Sequence, residues 1–319
     1  MPSPRLAVVL GLVAAALLAG CRTRPGARGA GAAPATPATQ PAAPAARAQA
    51  APAAPDPALA DQRARLTAAA KRELGLDVRV HAVEERWVLL GAPGLSAARF
   101  THSIVLTQAA LTAYFNDRFR TRPPRALAVY LFADGDSYHA FCQSRWKTGC
   151  PSKFGFYDEP RQRLVVNTDL GLGTLTHELV HPILAADFPL APLWLNEGIA
   201  SLYEAPVMPQ GGEIHGAANW RLPRLRAALA ARGERPEAEL ARLFTLGDAT
   251  FRDAREELHY AQARYLCQWL DTSGRLWDFY HRWRDGFGAD PTGARAFQAA
   301  TGLTPAAAQA SFEQWLGSL

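Results

Sequence analysis

The sequence predicts an α+β fold: a small, mostly antiparallel sheet, then a mainly helical C-terminal lobe. Three observations predict it. Strand-length runs that are wholly apolar or alternate with period two fall before residue 168. Helical stretches interleave with those runs. Beyond residue 173 only helical periodicity is left.

The chain opens with Arg5 and an apolar run from Leu6 to Leu18. At about 13 residues it is too short to span a bilayer as a helix, which takes about 20. Residues 1–20 therefore read as a signal peptide. The run ends in Leu18-Ala19-Gly20-Cys21, which resembles the bacterial lipobox, in which cleavage precedes a lipidated Cys. That resemblance implies a lipid anchor on Cys21 and a place in the bacterial cell envelope. Arg22, rather than Asp, follows the Cys, which by the same resemblance favours the outer membrane.

Residues 21–58 are mostly Ala and Pro and present no periodic apolar face. Such a segment buries too little to offset the entropy of ordering, so it is expected to be a tether. It leaves residues 59–319 as the folded domain.

The charge is distributed accordingly. Residues 1–60 hold five Arg and one acidic residue, which is most of the formal net charge of +5. The folded part is near neutral and has no basic stripe with interleaved aromatics, so nucleic acid is not an expected partner. Cys142 and Cys150 flank a Lys-Thr-Gly turn and suit a local disulfide in an oxidising compartment. Cys267 lies on an apolar helix face and reads as a buried thiol.

The domain starts with a helix from Asp61 to Leu74, stopped by Gly75. Val78–Val83 and Trp87–Leu90 around Glu84-Glu85-Arg86 suggest a hairpin. Ser96 can cap an amphipathic helix reaching about to Phe119. Ala126–Phe132 reads as a buried strand, and Asp134-Gly135-Asp136 opens a short helix to Trp146. Phe154–Tyr157 and Arg163–Asn167 read as two antiparallel strands, one of which could be a sheet edge. Further on, Trp277, Phe279, Tyr280 and Trp283 form an aromatic stripe of core character, and His281 among them reads as a packed or surface His, not a ligand. Thr304–Leu316 is expected to close the fold as a helix.

The chemistry concentrates in Thr174-Leu175-Thr176-His177-Glu178-Leu179-Val180-His181. Residues i and i+4 share a helix face, so His177 and His181 can aim at one ion. Glu178 is rotated off that pair yet within reach of a water beside it. Two imidazoles on Zn²⁺ with a neighbouring carboxylate base is the pattern of zinc hydrolases. A third ligand must come from elsewhere. Glu197, in the apolar run Trp194-Leu195-Asn196-Glu197-Gly198-Ile199-Ala200, suits it, because a carboxylate there is costly to bury unpaired.

These two segments together resemble the gluzincin zinc metallopeptidases, and more narrowly bacterial peptidase-MA-like domains, over roughly residues 77–285. The resemblance implies a zincin-like fold, Zn²⁺ held by His177, His181 and Glu197, Glu178 as general base, and a peptide or protein substrate. His259-Tyr260-Ala261-Gln262-Ala263-Arg264 resembles the aminopeptidase-type segment whose Tyr bonds the developing oxyanion. Tyr260 takes that role by resemblance, with His259 as the alternative.

The chain departs from the pattern at two points. Ser201 stands where thermolysin-like members carry an Asp that orients a ligand His, so that support is expected to be weaker or supplied differently. Pro182 follows the second His and is expected to bend or end the helix. Asp187 is the rival third ligand, at the metzincin spacing, but Leu184 occupies the position where that turn needs Gly. Glu204 and His215 are further candidates, Glu204 for support of a ligand or contact with substrate. Two other functions remain open: a non-catalytic binding or assembly lipoprotein on this scaffold, and a zinc amidase acting on envelope components.

Overall fold

The computed structural model describes residues 56–319. The expected signal peptide (1–20), the expected lipidation site at Cys21 and the expected tether up to residue 55 lie outside the described residues. Helix α1 (Pro57–Leu74) starts four residues before the expected Asp61, because the Asp56 side chain accepts from the Ala58 N–H and Pro57 takes the first helical position. Residues 57 and 58 thus belong to this helix and not to the tether.

β1 (Arg79–Val83) and β2 (Trp87–Gly91) form the expected hairpin. α2 (Ala97–Tyr114) is capped by Ser96 and stops five residues short of Phe119. β3 (Leu127–Phe132) leads to α3 (Gly135–Trp146), whose first turn is capped by Asp134. β4 (Gly155–Asp158) and β5 (Arg163–Asn167) pair antiparallel. Cys142 and Cys150 are joined by a disulfide, with their Cα atoms 5.2 Å apart.

The sheet order is β1-β2-β3-β5-β4. The expectation of a mostly antiparallel sheet is corrected here: β2–β3 and β3–β5 are parallel, and only the two outer pairs are antiparallel. The reason lies in the connections. α2 carries the chain back between β2 and β3, so these two run the same way. After β3, α3 leads into the edge strand β4, which runs the opposite way, and the turn after β4 returns the chain as β5, parallel to β3. β4 is an edge strand, whereas β5 is paired on both sides.

The three central strands are covered on both faces. Trp87, Leu89, Leu127, Val129, Leu131, Leu164 and Val166 enter one core with the later helices. Their alternates Val88, Leu90, Ala128, Tyr130, Phe132 and Val165 enter a second core with residues of α1 and α3. Period two along each strand produces this division. It also explains why these strands read as unbroken apolar runs.

The motif lies on α4 (Gly173–Asp187), against β4, β5 and α2. Pro182 does not end this helix, which continues five residues beyond it. Its missing N–H leaves the Glu178 carbonyl without the usual helical donor, while buried neighbours such as Ile183 and Leu184 hold the final turns in place. α5 (Leu193–Leu202) returns beside α4.

A two-stranded ribbon follows, β6 (Pro206–Val207) and β7 (His215–Gly216), where helix alone was expected. Then come α6 (Leu222–Ala230) and the short α7 (Arg235–Ala238), α8 (Leu240–Leu243) and α9 (Asp248–Phe251). α10 (Glu256–Thr272), α11 (Leu276–Gly286), α12 (Ala294–Thr301) and α13 (Pro305–Gly317) complete the helical C-terminal region. Phe279, Tyr280 and Trp283 of α11 are fully buried, and His281 Nε2 lies 2.6 Å from the Arg118 carbonyl.

One close approach governs the site. α5 packs along α10 at Gly198, where a Cβ would come within 3.0 Å of both the Ala263 carbonyl oxygen and Cys267 Sγ. A side chain there would push the Ala263 carbonyl or the thiol away by a few tenths of an ångström, so glycine favours this close approach, which places the α10 side chains beside Glu197. Cys267 is a buried free thiol at that contact.

Candidate metal centre

α4 presents His177 and His181 on one face, with ring centroids 4.9 Å apart. α5 brings Glu197 opposite them. One ligand atom from each of the three lies within 4.8 Å of the other two, the one such group of His, Cys, Asp or Glu among the described residues. Glu197 Oε2 is 3.5 Å from His177 Nε2.

The rival ligand is engaged elsewhere. Asp187 Oδ1 accepts from the backbone N–H of Arg120 at 3.0 Å and of Thr121 at 2.7 Å. Its Oδ2 accepts from Tyr280 Oη at 2.8 Å and Arg284 Nη1 at 2.9 Å. Burial opposes ionisation of Asp187, but the bonds from Tyr280, Thr121 and Arg284 outweigh it and hold the carboxyl below its usual range. Asp187 ties α4 to α11 and to the segment after α2. His215, on β7, lies 2.9 Å from Asp271 and does not line the cleft.

The orientation expected from an Asp at position 201 comes from two other α5-side groups. Asn196 Oδ1 lies 2.7 Å from His181 Nδ1. The amide oxygen accepts, so Nδ1 carries the proton and Nε2 keeps its lone pair. Glu204 Oε1 lies 3.5 Å from His177 Nδ1, a charge contact longer than a hydrogen bond. Arg221 fixes Glu204 with two bonds, at 2.9 and 2.7 Å, and Asn219 adds a third at 3.1 Å. Ser201 Oγ is buried without a partner among the described residues.

Glu178 Oε2 and Glu197 Oε2 are likewise buried and lack hydrogen-bond partners among the described residues, as does His177 Nδ1, which faces Glu204 and not the shared point. Orphaned polar atoms are costly unless something else occupies their lone pairs. Two imidazoles and one carboxylate converging on one point fit a divalent ion that accepts nitrogen and oxygen donors. Glu178 Oε2 lies 3.8 Å from His181 Nε2, at the edge of that point.

The electrostatics agree. Burial works to lower the proton affinity of His177, but Glu197, Glu178 and Glu204 overcome it and push its pKa up to about 9. Burial works to raise Glu197, yet His181, His177 and Arg252 bring it down to about 2. Burial dominates at Glu178, whose pKa is raised despite the two imidazoles. A carboxylate of raised proton affinity is suited to accept a proton.

Tyr260 lines the cleft and is kept a neutral phenol, its pKa raised chiefly by burial. His259 does not take its place: it is fully buried, with Nδ1 3.0 Å from the Phe251 carbonyl. Arg252, which carried no motif signal, reaches Glu197 Oε1 with Nη2 at 3.0 Å and Tyr260 Oη with Nη1 at 3.3 Å. Arg221 covers the Tyr260 ring, with Cζ 4.9 Å from its centroid. The only sequence signal for these two arginines is that each precedes a helix by a residue or a few.

The cleft above the group encloses about 840 Å³. Residues of β4 and α4 line it, together with Trp220, Arg221, Arg252 and Tyr260. At Gly155 a Cβ would come 2.9 Å from Thr174 Cγ2 and 3.2 Å from Glu178 Cγ, so glycine lets the edge strand lie against the motif helix. Phe154 accepts from the Asn167 N–H at 2.8 Å. The antiparallel alternation then turns the backbone groups of Gly155 and Tyr157 to the free edge.

Fold and site together define an α+β protein with a five-stranded mixed sheet and a His/His/Glu group suited to a metal ion. No protein-family model matches the chain, and neither does any curated protein.

Proposed function

We propose that this chain is a zinc-dependent metallopeptidase of the gluzincin kind, tethered to the bacterial cell envelope by a lipid on Cys21. The observation that carries the reading is the convergence of His177, His181 and Glu197 with Glu178 beside them, on the floor of a cleft bordered by a free strand edge.

His177, His181 and Glu197 would hold the ion. Bound Zn²⁺ would supply Lewis acidity, polarising a carbonyl and lowering the pKa of water to about 7. Glu178 takes the proton from the attacking water and passes it to the leaving nitrogen. Tyr260, a phenol at the working pH, donates to the oxygen that becomes negative, and Arg252 orients it. The outward groups of Gly155 and Tyr157 pair with an extended peptide, which gives backbone affinity with little sequence preference. A base of raised proton affinity would be superfluous in a purely structural metal site, which favours catalysis over a binding scaffold.

The test is metal content and hydrolysis of a denatured protein substrate, measured for the wild type and Glu178→Gln. One zinc per chain in both, with hydrolysis only in the wild type, supports the reading. Full hydrolysis by Glu178→Gln would refute the assigned base, and absence of bound metal would refute the centre.

A further inference from the structure

Phe154 and Trp220 meet in the cleft. Phe154 directly precedes β4, and Trp220 lies two residues before α6. Their rings stack, with centroids 6.3 Å apart and planes at 24°. Both line the cleft, and neither belongs to the packed cores. Trp220 is 58% exposed, unusual for so large an apolar side chain.

The two stalks are pinned while the rings are not. The Phe154 N–H donates to Ser152 Oγ at 3.1 Å, its carbonyl is tied to Asn167, and the Cys142–Cys150 disulfide closes just upstream. Beside Trp220 the Asn219 N–H donates to Tyr265 Oη at 3.0 Å, and Arg221 is clamped to Glu204. The bridge therefore opens by side-chain rotation without moving either backbone.

A stack this close leaves no room for a third ring. A peptide laid on the free edge at Gly155 must displace it with whatever side chain falls beside Phe154. A large apolar group restores the contact that the two rings lose. A small or polar group leaves both rings in water, at a cost that grows with exposed apolar area. Lys153 Nζ sits 5.0 Å from the Phe154 ring centroid, and Arg221 Cζ 5.6 Å from that of Trp220. Those cations repel a basic side chain and favour another aromatic face.

We infer that the Phe154–Trp220 pair sets specificity, selecting extended peptides that carry a large apolar, preferably aromatic, side chain at the position against Phe154. This rests on the peptidase reading above. It is tested with the zinc-loaded protein and two variants, Trp220→Ala and Trp220→Phe, on peptides that differ only by Phe or Ala at each position in turn. The wild type prefers Phe at one position fixed relative to the cut. Trp220→Ala lowers that Phe-to-Ala ratio in kcat/KM about tenfold or more, and Trp220→Phe retains most of it. An unchanged ratio in Trp220→Ala overturns the inference and leaves the peptidase reading intact. Binding of the Phe peptide to Glu178→Gln, followed through Trp220 fluorescence against the double variant with Trp220→Phe, separates the two claims. Selective binding without cleavage by the wild type upholds the selection and overturns the peptidase. Neither binding nor cleavage overturns both.

Discussion

Asn196 Oδ1 lies 2.7 Å from His181 Nδ1, and the next residue, Glu197, points its Oε2 at His177. One turn of α5 thus supplies both the proposed third ligand and the group that fixes the tautomer of His181. Asn196→Ala removes that acceptor and is expected to weaken zinc binding about 10- to 100-fold. Asn196→Asp retains an acceptor and should restore most of the affinity. Competition with a chromophoric chelator measures it, and unchanged affinity in Asn196→Ala would show that the contact does not orient His181.

Glu197→Ala and Asp187→Ala should fail in opposite ways. Loss of Glu197 removes a ligand and should weaken zinc by more than about 100-fold, beyond the effect of any outer partner. Loss of Asp187 leaves the Tyr280 hydroxyl and the Arg120 and Thr121 N–H groups without their acceptor, though Arg284 keeps Asp285, and should cost about 1–3 kcal/mol of stability, with zinc retained. Metal analysis and denaturant unfolding of the two variants distinguish them. Zinc loss in Asp187→Ala with full stability would reverse the assignment.

The pH dependence follows from His177 and Glu197. The folded pKa of His177 is raised to about 9 from 6.5, so its stabilisation of the metal-free fold is complete below 6.5 and is lost as pH rises through 9. Glu197 is depressed to about 2 from 4.5, so its contribution is present above 4.5 and is lost as pH falls through 2. Zinc must displace the His177 proton. Apparent affinity should therefore rise about tenfold per pH unit from this group alone between about pH 7 and pH 9. Zinc titrations in buffers of different ionisation enthalpy should detect about one proton released per zinc at pH 7. No release would mean His177 is already neutral.

Gly155→Ala places a methyl against Thr174 Cγ2 and Glu178 Cγ. Either β4 or the Glu178 side chain must shift. The expected result is a kcat/KM lower by about 100-fold, as for a misplacement of about 1 Å, with zinc content preserved. Wild-type kcat/KM in this variant would argue that neither the strand edge nor Glu178 takes part.

Removing the disulfide should act on stability first. Replacing both Cys142 and Cys150 with Ser reopens a short loop and is expected to cost roughly 2–3 kcal/mol. Thermal unfolding with and without reductant measures it. A wild type indifferent to reductant would show that the bond contributes nothing.

Much of this architecture is local and was therefore legible in the sequence. Ser96 and Asp134 announce their helices through their own side chains. The hairpin over Glu84-Glu85-Arg86 follows from alternation and spacing. Strand direction was misjudged because hydrophobic pattern is blind to it. The helices between β2, β3 and β5 were the available clue. Glu204 was visible only as a seventh residue after Glu197, since its closeness to His177 arises from how α5 packs on α4.

By itself the sequence determined what depends on spacing along one helix or one turn: His177 and His181 on a common face with Glu178 beside them, and Cys142 within reach of Cys150. Only the tertiary structure decided which distant groups complete the site. Glu197 and not Asp187 faces the histidines, Arg252 and Arg221 flank Tyr260, and Trp220 meets Phe154 over the cleft. Those choices depend on helix packing, such as the approach of α5 to α10 at Gly198. Such contacts join residues far apart in the chain, and no local period records them.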